Sequence, residues 1–143
     1  MSDRAWPDFY RDQDFDLARL VRVSVLYAKY LDAIEEFAPG PKGLEVGTGT
    51  GWASVYLSHR GYRVTGIDRD RAIVAAAARL NRRFNGAAGF LPMDLFSLGF
   101  RAGEFDFAFH QGVLEHFDEP EIRAALKEQL RVAKRVIFAV PGA

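Results

Sequence analysis

The chain has 143 residues, with 19 Lys+Arg balanced by 19 Asp+Glu, 49% hydrophobic residues and no cysteine. That length and apolar content suit one globular domain with a genuine core, and a formal charge of zero points neither to nucleic acid nor to an anionic membrane. The missing cysteines exclude a disulfide framework, thiolate zinc sites and a cysteine nucleophile, and they fit a reducing compartment.

Asp3, Asp8, Asp12, Asp14 and Asp16 crowd the N-terminus, which is no signal peptide. No apolar run approaches the ~18 residues of a membrane span, so the expectation is a soluble, cytoplasmic protein with no membrane partner. Residues 1–13 mix polar groups with Trp6, Pro7, Phe9 and Tyr10 and show no period. From Asp16, the apolar positions Leu17, Leu20, Val21, Tyr27, Ala28, Leu31, Ile34 and Ala38 follow helical spacing, and Pro39-Gly40-Pro41 stops that helix. Residues 1–38 therefore read as an N-terminal segment and packing helix, and 39–143 as the core.

The core opens on Gly43-Leu44-Glu45-Val46-Gly47-Thr48-Gly49-Thr50-Gly51, a short apolar strand running into alternating glycines and then a helix. Glycine lacks a Cβ and tolerates positive φ, which suits a tight strand-to-helix turn pressed against a ligand. The following helix turns its unpaired N–H groups and positive dipole end to that ligand. It runs to about Arg60 and ends at Gly61. A second strand, Tyr62 to Ile67, ends in Asp68, where a carboxylate beside a glycine turn is placed to hold a ribose. A nucleoside cofactor follows. A dinucleotide fingerprint, G-x-G-x-x-G, is not met, because Trp52 occupies the place of its last glycine.

Asp70 caps the next helix, which carries Ile73, Ala76, Ala77, Leu80 and Phe84 and ends at Asn85-Gly86. Its Arg79, Arg82 and Arg83, like Arg131, Lys134 and Arg135 further on, read as solvated helix ends that complement the dipole. The third strand, Gly89 to Asp94, contains Pro92 and belongs at a sheet edge. Glu104 to His110 is the fourth strand, apolar on successive positions and so buried on both faces. Asp118, Pro120 and Glu121 open a helix with a capping box, and Ile122, Leu126, Leu130 and Ala133 form its buried stripe. Arg135 to Val140 is the fifth strand. Strand and helix alternate throughout, which calls for right-handed crossovers and a parallel sheet.

The E-x-G-x-G-x-G turn, Asp68, Asp94 and the segment His110-Gln111-Gly112-Val113-Leu114-Glu115-His116-Phe117, in this order, resemble the class I S-adenosylmethionine-dependent methyltransferases. The resemblance implies a Rossmann-like α/β sheet of order 3-2-1-4-5 with helices on both faces. The cofactor would be S-adenosyl-L-methionine, with S-adenosyl-L-homocysteine as product. It implies that Glu45 meets the amino group of the cofactor's methionine end, that Gly47, Gly49 and Gly51 form the turn, and that Asp68, with Arg69 beside it, holds the ribose. Asp94 would accept from the adenine amine and the Leu95 N–H would reach the ring. Gln111 and Gly112 would offer backbone groups to the methionine portion. His116 and Glu115 are titratable groups in one loop and are the candidate catalytic bases; His110 is a weaker candidate and His59 a surface residue. Tyr10 or Tyr27 would serve as a lid.

The activity implied is methyl transfer to an oxygen or nitrogen of a small molecule. No D/N-P-P-Y motif follows the fourth strand, which weighs against nucleic acid, and no cluster has metal-ligand spacing. The family sheet has seven strands and this chain carries five, which puts the substrate wall in question. The alternatives are a non-catalytic cofactor-binding or scaffold subunit, or a truncated enzyme that needs a partner chain. Val136 to Val140 reads as an interior strand, so its free edge is expected to be filled by a homodimer mate, a partner subunit or the rest of a longer protein.

Overall fold

A computed structural model describes residues 15–142; the expectation of a lid residue at Tyr10 lies outside the described residues. Two helices, α1 (Leu17–Leu26) and α2 (Ala28–Phe37), precede a regular alternation. The order is β1 (Lys42–Val46), α3 (Trp52–His59), β2 (Arg63–Asp68), α4 (Arg71–Arg83), β3 (Gly89–Pro92), β4 (Phe107–Gln111), a 3₁₀ turn at Leu114–His116, α5 (Glu119–Val132) and β5 (Val136–Ala139). All strand pairs are parallel and the sheet order is β3-β2-β1-β4-β5, as expected.

Parallel pairing in this register brings every strand's carboxyl end to one side. Val46 is followed there by the glycine turn, and Asp68, Pro92, Gln111 and Ala139 end their strands along the same rim. The order reverses direction at β1, between β2 and β4, where strand connections leave in opposite senses and open a crevice. Alternation along β1 divides the core. Leu44 and Val46 pack with Ile67, Ala108 and Val132 on the α5 side. Gly43 and Glu45 point to the other layer, where Tyr30, Ile34, Ala53, Leu57, Phe107 and Phe109 are buried.

The helix ends obey local chemistry. Asp70 accepts from the Ala72 and Ile73 N–H groups, and Asp118 with Glu121 forms the reciprocal capping box, with proline in the first turn. Asn85, just past α4, takes φ 53°, the left-handed terminator.

Four elements differ from the sequence expectation, the first being α5, whose buried residues are Ala125, Gln129 and Val132 while Leu130 of the expected stripe is exposed. The helix begun at Asp16 breaks at Tyr27, whose ring stacks on Trp52 at 5.7 Å, while the Ser24 hydroxyl bonds back to the Leu20 carbonyl at 2.7 Å and loosens the turn before it. The fourth strand starts at Phe107 rather than Glu104. Asp106 uses its carboxylate on the Lys42 N–H and on Lys134, and Phe105 joins the sheet through a single bridge to Ala133. β5 is the outer strand of the sheet among the described residues and is only partly covered. Its Phe138 is 44% exposed, while Ile137 and Ala139 pack toward the α2 side.

Gly51 holds this architecture at its tightest point. It has φ 79°, and a Cβ there would lie 2.9 Å from the Ala77 Cβ of α4 and 3.0 Å from the Phe90 ring of β3. Left-handed backbone and overpacking add for alanine, so Gly51→Ala is expected to destabilise the chain by about 2–4 kcal/mol in urea unfolding. A midpoint equal to the parent's would show that the α3–α4 contact yields freely.

Candidate active site

The glycine turn is built from two left-handed steps and a left-handed cap: Gly47, Gly49 and Gly51 have φ 66°, 55° and 79°. The Thr48 N–H ties the turn to the end of β2 through the Ile67 carbonyl at 2.8 Å, and the Gly51 N–H closes onto the Thr48 carbonyl at 2.9 Å. Gly47 lies under the segment after β4, since a Cβ on it would come 2.9 Å from the Val113 side chain. α3 then begins at Trp52 with no side chain capping it. Its first N–H groups lie at the carboxyl-end rim of the sheet.

Two carboxylates flank this turn. Glu45 is 7% exposed, and its Oε1 accepts from the Thr48 hydroxyl and, at 2.9 Å, from the Ser54 hydroxyl of α3. Burial pushes its carboxyl up to about 7; the two hydroxyls pull it back and Asp68 pushes it further up. Asp68 is half-buried at the tip of β2 and accepts from the Asp70 N–H at 3.1 Å. Burial raises its carboxyl as well, offset by the Asp70 and Gly49 N–H groups. A carboxylate on each side of a helix start is an acceptor set for cations and hydroxyls. It is poorly suited to pyrophosphate, and the neighbouring cations Arg69 and Arg71 are exposed to solvent.

The remaining expected residues line the same rim in looser settings. Asp94 is exposed, and its Oδ1 already accepts from the Phe96 N–H at 2.8 Å. Leu95 is partly buried against the α5-side core. Gln111 ends β4, and Gly112 beyond it takes φ 68° while its N–H reaches the Ala139 carbonyl at 3.3 Å. Glu115 and His116 are exposed on the 3₁₀ turn, immediately before the Asp118 cap. His59 lies on the surface with Nε2 2.7 Å from the Phe84 carbonyl.

His110 is not part of this crevice. It is fully buried on the α5 side, stacked at 5.2 Å on Phe138, and neither ring nitrogen has a hydrogen-bond partner. Burial pushes it down to about 4. Sequence reasoning missed Thr48, Ser54 and Tyr30. The signal for Ser54 was a small polar residue in the apolar run Trp52-Ala53-Ser54-Val55, two turns of chain beyond a carboxylate that needed donors.

This sheet order, with a glycine turn after β1 and a carboxylate ending β2, defines the Rossmann-like fold of the class I S-adenosylmethionine-dependent methyltransferases. The chain belongs to the methyltransferase domain family, which matches residues 44–135. It is 29% identical over 133 residues to a protein-L-isoaspartate O-methyltransferase from Christiangramia forsetii, a match covering 92% of this chain and 60% of that protein. A solved S-adenosylmethionine-dependent methyltransferase from Methanosarcina mazei is 31% identical with TM-score 0.64, over 75% of this chain and 55% of the other. The magnesium protoporphyrin IX methyltransferase from Synechocystis PCC 6803, solved with S-adenosylmethionine bound, superposes with TM-score 0.70 at 24% identity, over 93% and 67% of the two chains. The chain thus spans about 60% of the length of the curated relatives it matches.

The Glu45 environment has a measurable cost. Its folded pKa, about 7, exceeds the ordinary 4.5, so the folded chain holds the proton more tightly than the unfolded one. Stability from this group is present below 4.5 and is lost as pH rises to about 7, a swing of about 3 kcal/mol. Buried His110 acts in the opposite sense, losing stability as pH falls from 6.5 to about 4. The difference between parent and Glu45→Gln isolates the carboxyl. The variant is expected to gain stability on the parent as pH rises from 5 to 8 in urea unfolding; a constant difference would mean Glu45 titrates normally.

Proposed function

We propose that this chain is an S-adenosylmethionine-dependent methyltransferase domain acting on an oxygen or nitrogen of a small molecule. The observation that carries the reading is the pair of buried and half-buried carboxylates, Glu45 and Asp68, on either side of an open glycine turn. The cofactor's ammonium and ribose hydroxyls are groups that such carboxylates hold, and this acceptor set fits them better than it fits a dinucleotide.

Glu45 would hold the ammonium of the methionine end, Asp68 the ribose, and Asp94 with the Leu95 N–H the adenine. Gln111 and Gly112 would orient the methionine portion. When bound, the cofactor supplies an electrophilic methyl on a sulfonium whose sulfur leaves as a neutral thioether. The chain's own task is then alignment of an incoming nucleophile, which can account for a large share of a rate without acid–base help. His116 and Glu115, at the rim beside the 3₁₀ turn, would take the proton of an acceptor hydroxyl or amine. That two similar solved enzymes and the curated relative are all methyltransferases by name supports the reaction class.

Titration calorimetry is expected to show S-adenosylhomocysteine binding to the parent and NAD giving no heat. Asp68→Ala should weaken the former by about 1.5–3 kcal/mol, the scale of lost charge-assisted hydrogen bonds. NAD binding with no response to the sulfur nucleoside would overturn the reading.

With an acceptor in hand, His116→Ala is expected to lower single-turnover rate far more than cofactor affinity. An unchanged rate from pH 6 to 9 would leave alignment as the whole mechanism.

A further inference from the structure

Tyr30, on α2, is 8% exposed and its hydroxyl has no hydrogen-bond partner. A buried phenol seldom goes without one, because its polar end loses water and gains nothing in return. It sits in the layer between the sheet and α2–α3, together with Ala53 and Phe109. Phe109 pairs with Glu45 across the sheet, and Glu45 faces the same layer. The two groups feel each other: the Glu45 charge adds to burial in holding the Tyr30 hydroxyl protonated.

We propose that the Tyr30 hydroxyl is a positioning donor for Glu45: it turns its O–H onto the Glu45 carboxylate when that group carries charge, and thereby sets the ligand affinity of the glycine-turn crevice. The carboxylate has acceptor capacity to spare. Thr48 and Ser54 both donate to Oε1, whereas an ionised carboxylate offers about four lone-pair sites on two oxygens. Among the described residues the other charged group that acts on Glu45 is Asp68, from β2, which opposes ionisation, and no cation acts on it. A donor from α2 is a further way to support the charge. In the structure the hydroxyl meets no acceptor; an ionised Glu45, which a cationic group favours, is a stronger acceptor than the neutral carboxyl, so the burial cost of the hydroxyl is relieved most in the bound state. The effect on affinity rests on reading Glu45 as the acceptor of the cofactor's ammonium; the effect on Glu45 itself does not.

Tyr30→Phe in the full chain tests this, since it removes only the hydroxyl and keeps the ring's packing. The Glu45 side-chain carboxyl is followed by carbon NMR against pH in parent and variant. The expected result is a midpoint raised by about one pH unit, the loss of one hydrogen bond to a charged group. S-adenosylhomocysteine affinity should then follow the parent's pH curve displaced by the same amount. The deficit is up to about tenfold at pH 6 and closes by pH 9. An unchanged Glu45 midpoint overturns the proposal, and so does a deficit equal at every pH, which would assign Tyr30 to packing alone. If the parent binds no sulfur nucleoside, the functional reading falls while the NMR midpoint still decides the role of Tyr30.

Discussion

Everything at the site depends on how little room the chain has when it leaves β1. The turn must clear Val113 above Gly47, then pass between Ala77 and Phe90 at Gly51, before α3 can start. A side chain fits at neither point, and the backbone must be left-handed at both. Once that path is taken, α3 starts at the carboxyl-end rim of the sheet, Ser54 falls over Glu45, and the α3–α4 packing is set. Gly51 thus serves packing between helix and strand, the task the last glycine performs in a dinucleotide fingerprint, although it stands one position earlier.

Glu45 sets burial against charge. A carboxyl between a central strand and two helices is a poor place for charge, and only two hydroxyls hold it. Ionisation there lowers the stability of the folded chain near neutral pH. Asp68, nearer solvent and served by backbone N–H groups, is the milder version of the same arrangement.

The opposite face of the sheet buries a polar pair in an apolar setting. His110 and Gln129 lie fully buried between β4, β5 and α5 with their side-chain nitrogens and oxygen unpartnered. The stacking of His110 on Phe138 joins that pair to the outer strand, whose Phe138 and Val140 remain in part exposed. Nothing among the described residues pairs with the outer edge of β5.

The fold was legible because its signals are local. Glycine spacing, the Asp70 and Asp118 caps, the Asn85 terminator and the Pro92 edge strand each act within a few residues, so the element order could be read along the chain. The alternation of strand and helix then allowed few topologies. The rim positions followed from that order, because parallel strands bring their carboxyl ends to one side. What only the tertiary structure decided is which side chains meet. The break at Tyr27 depends on Trp52, which lies far along the chain. The raised carboxyl of Glu45 depends on a layer assembled from α2, α3 and β4. The separation of His110 from the crevice depends on which pleat of β4 it occupies. Hydrogen bonds and burial between distant segments leave no period or spacing in a single sequence; they exist only once packing has closed the space around them.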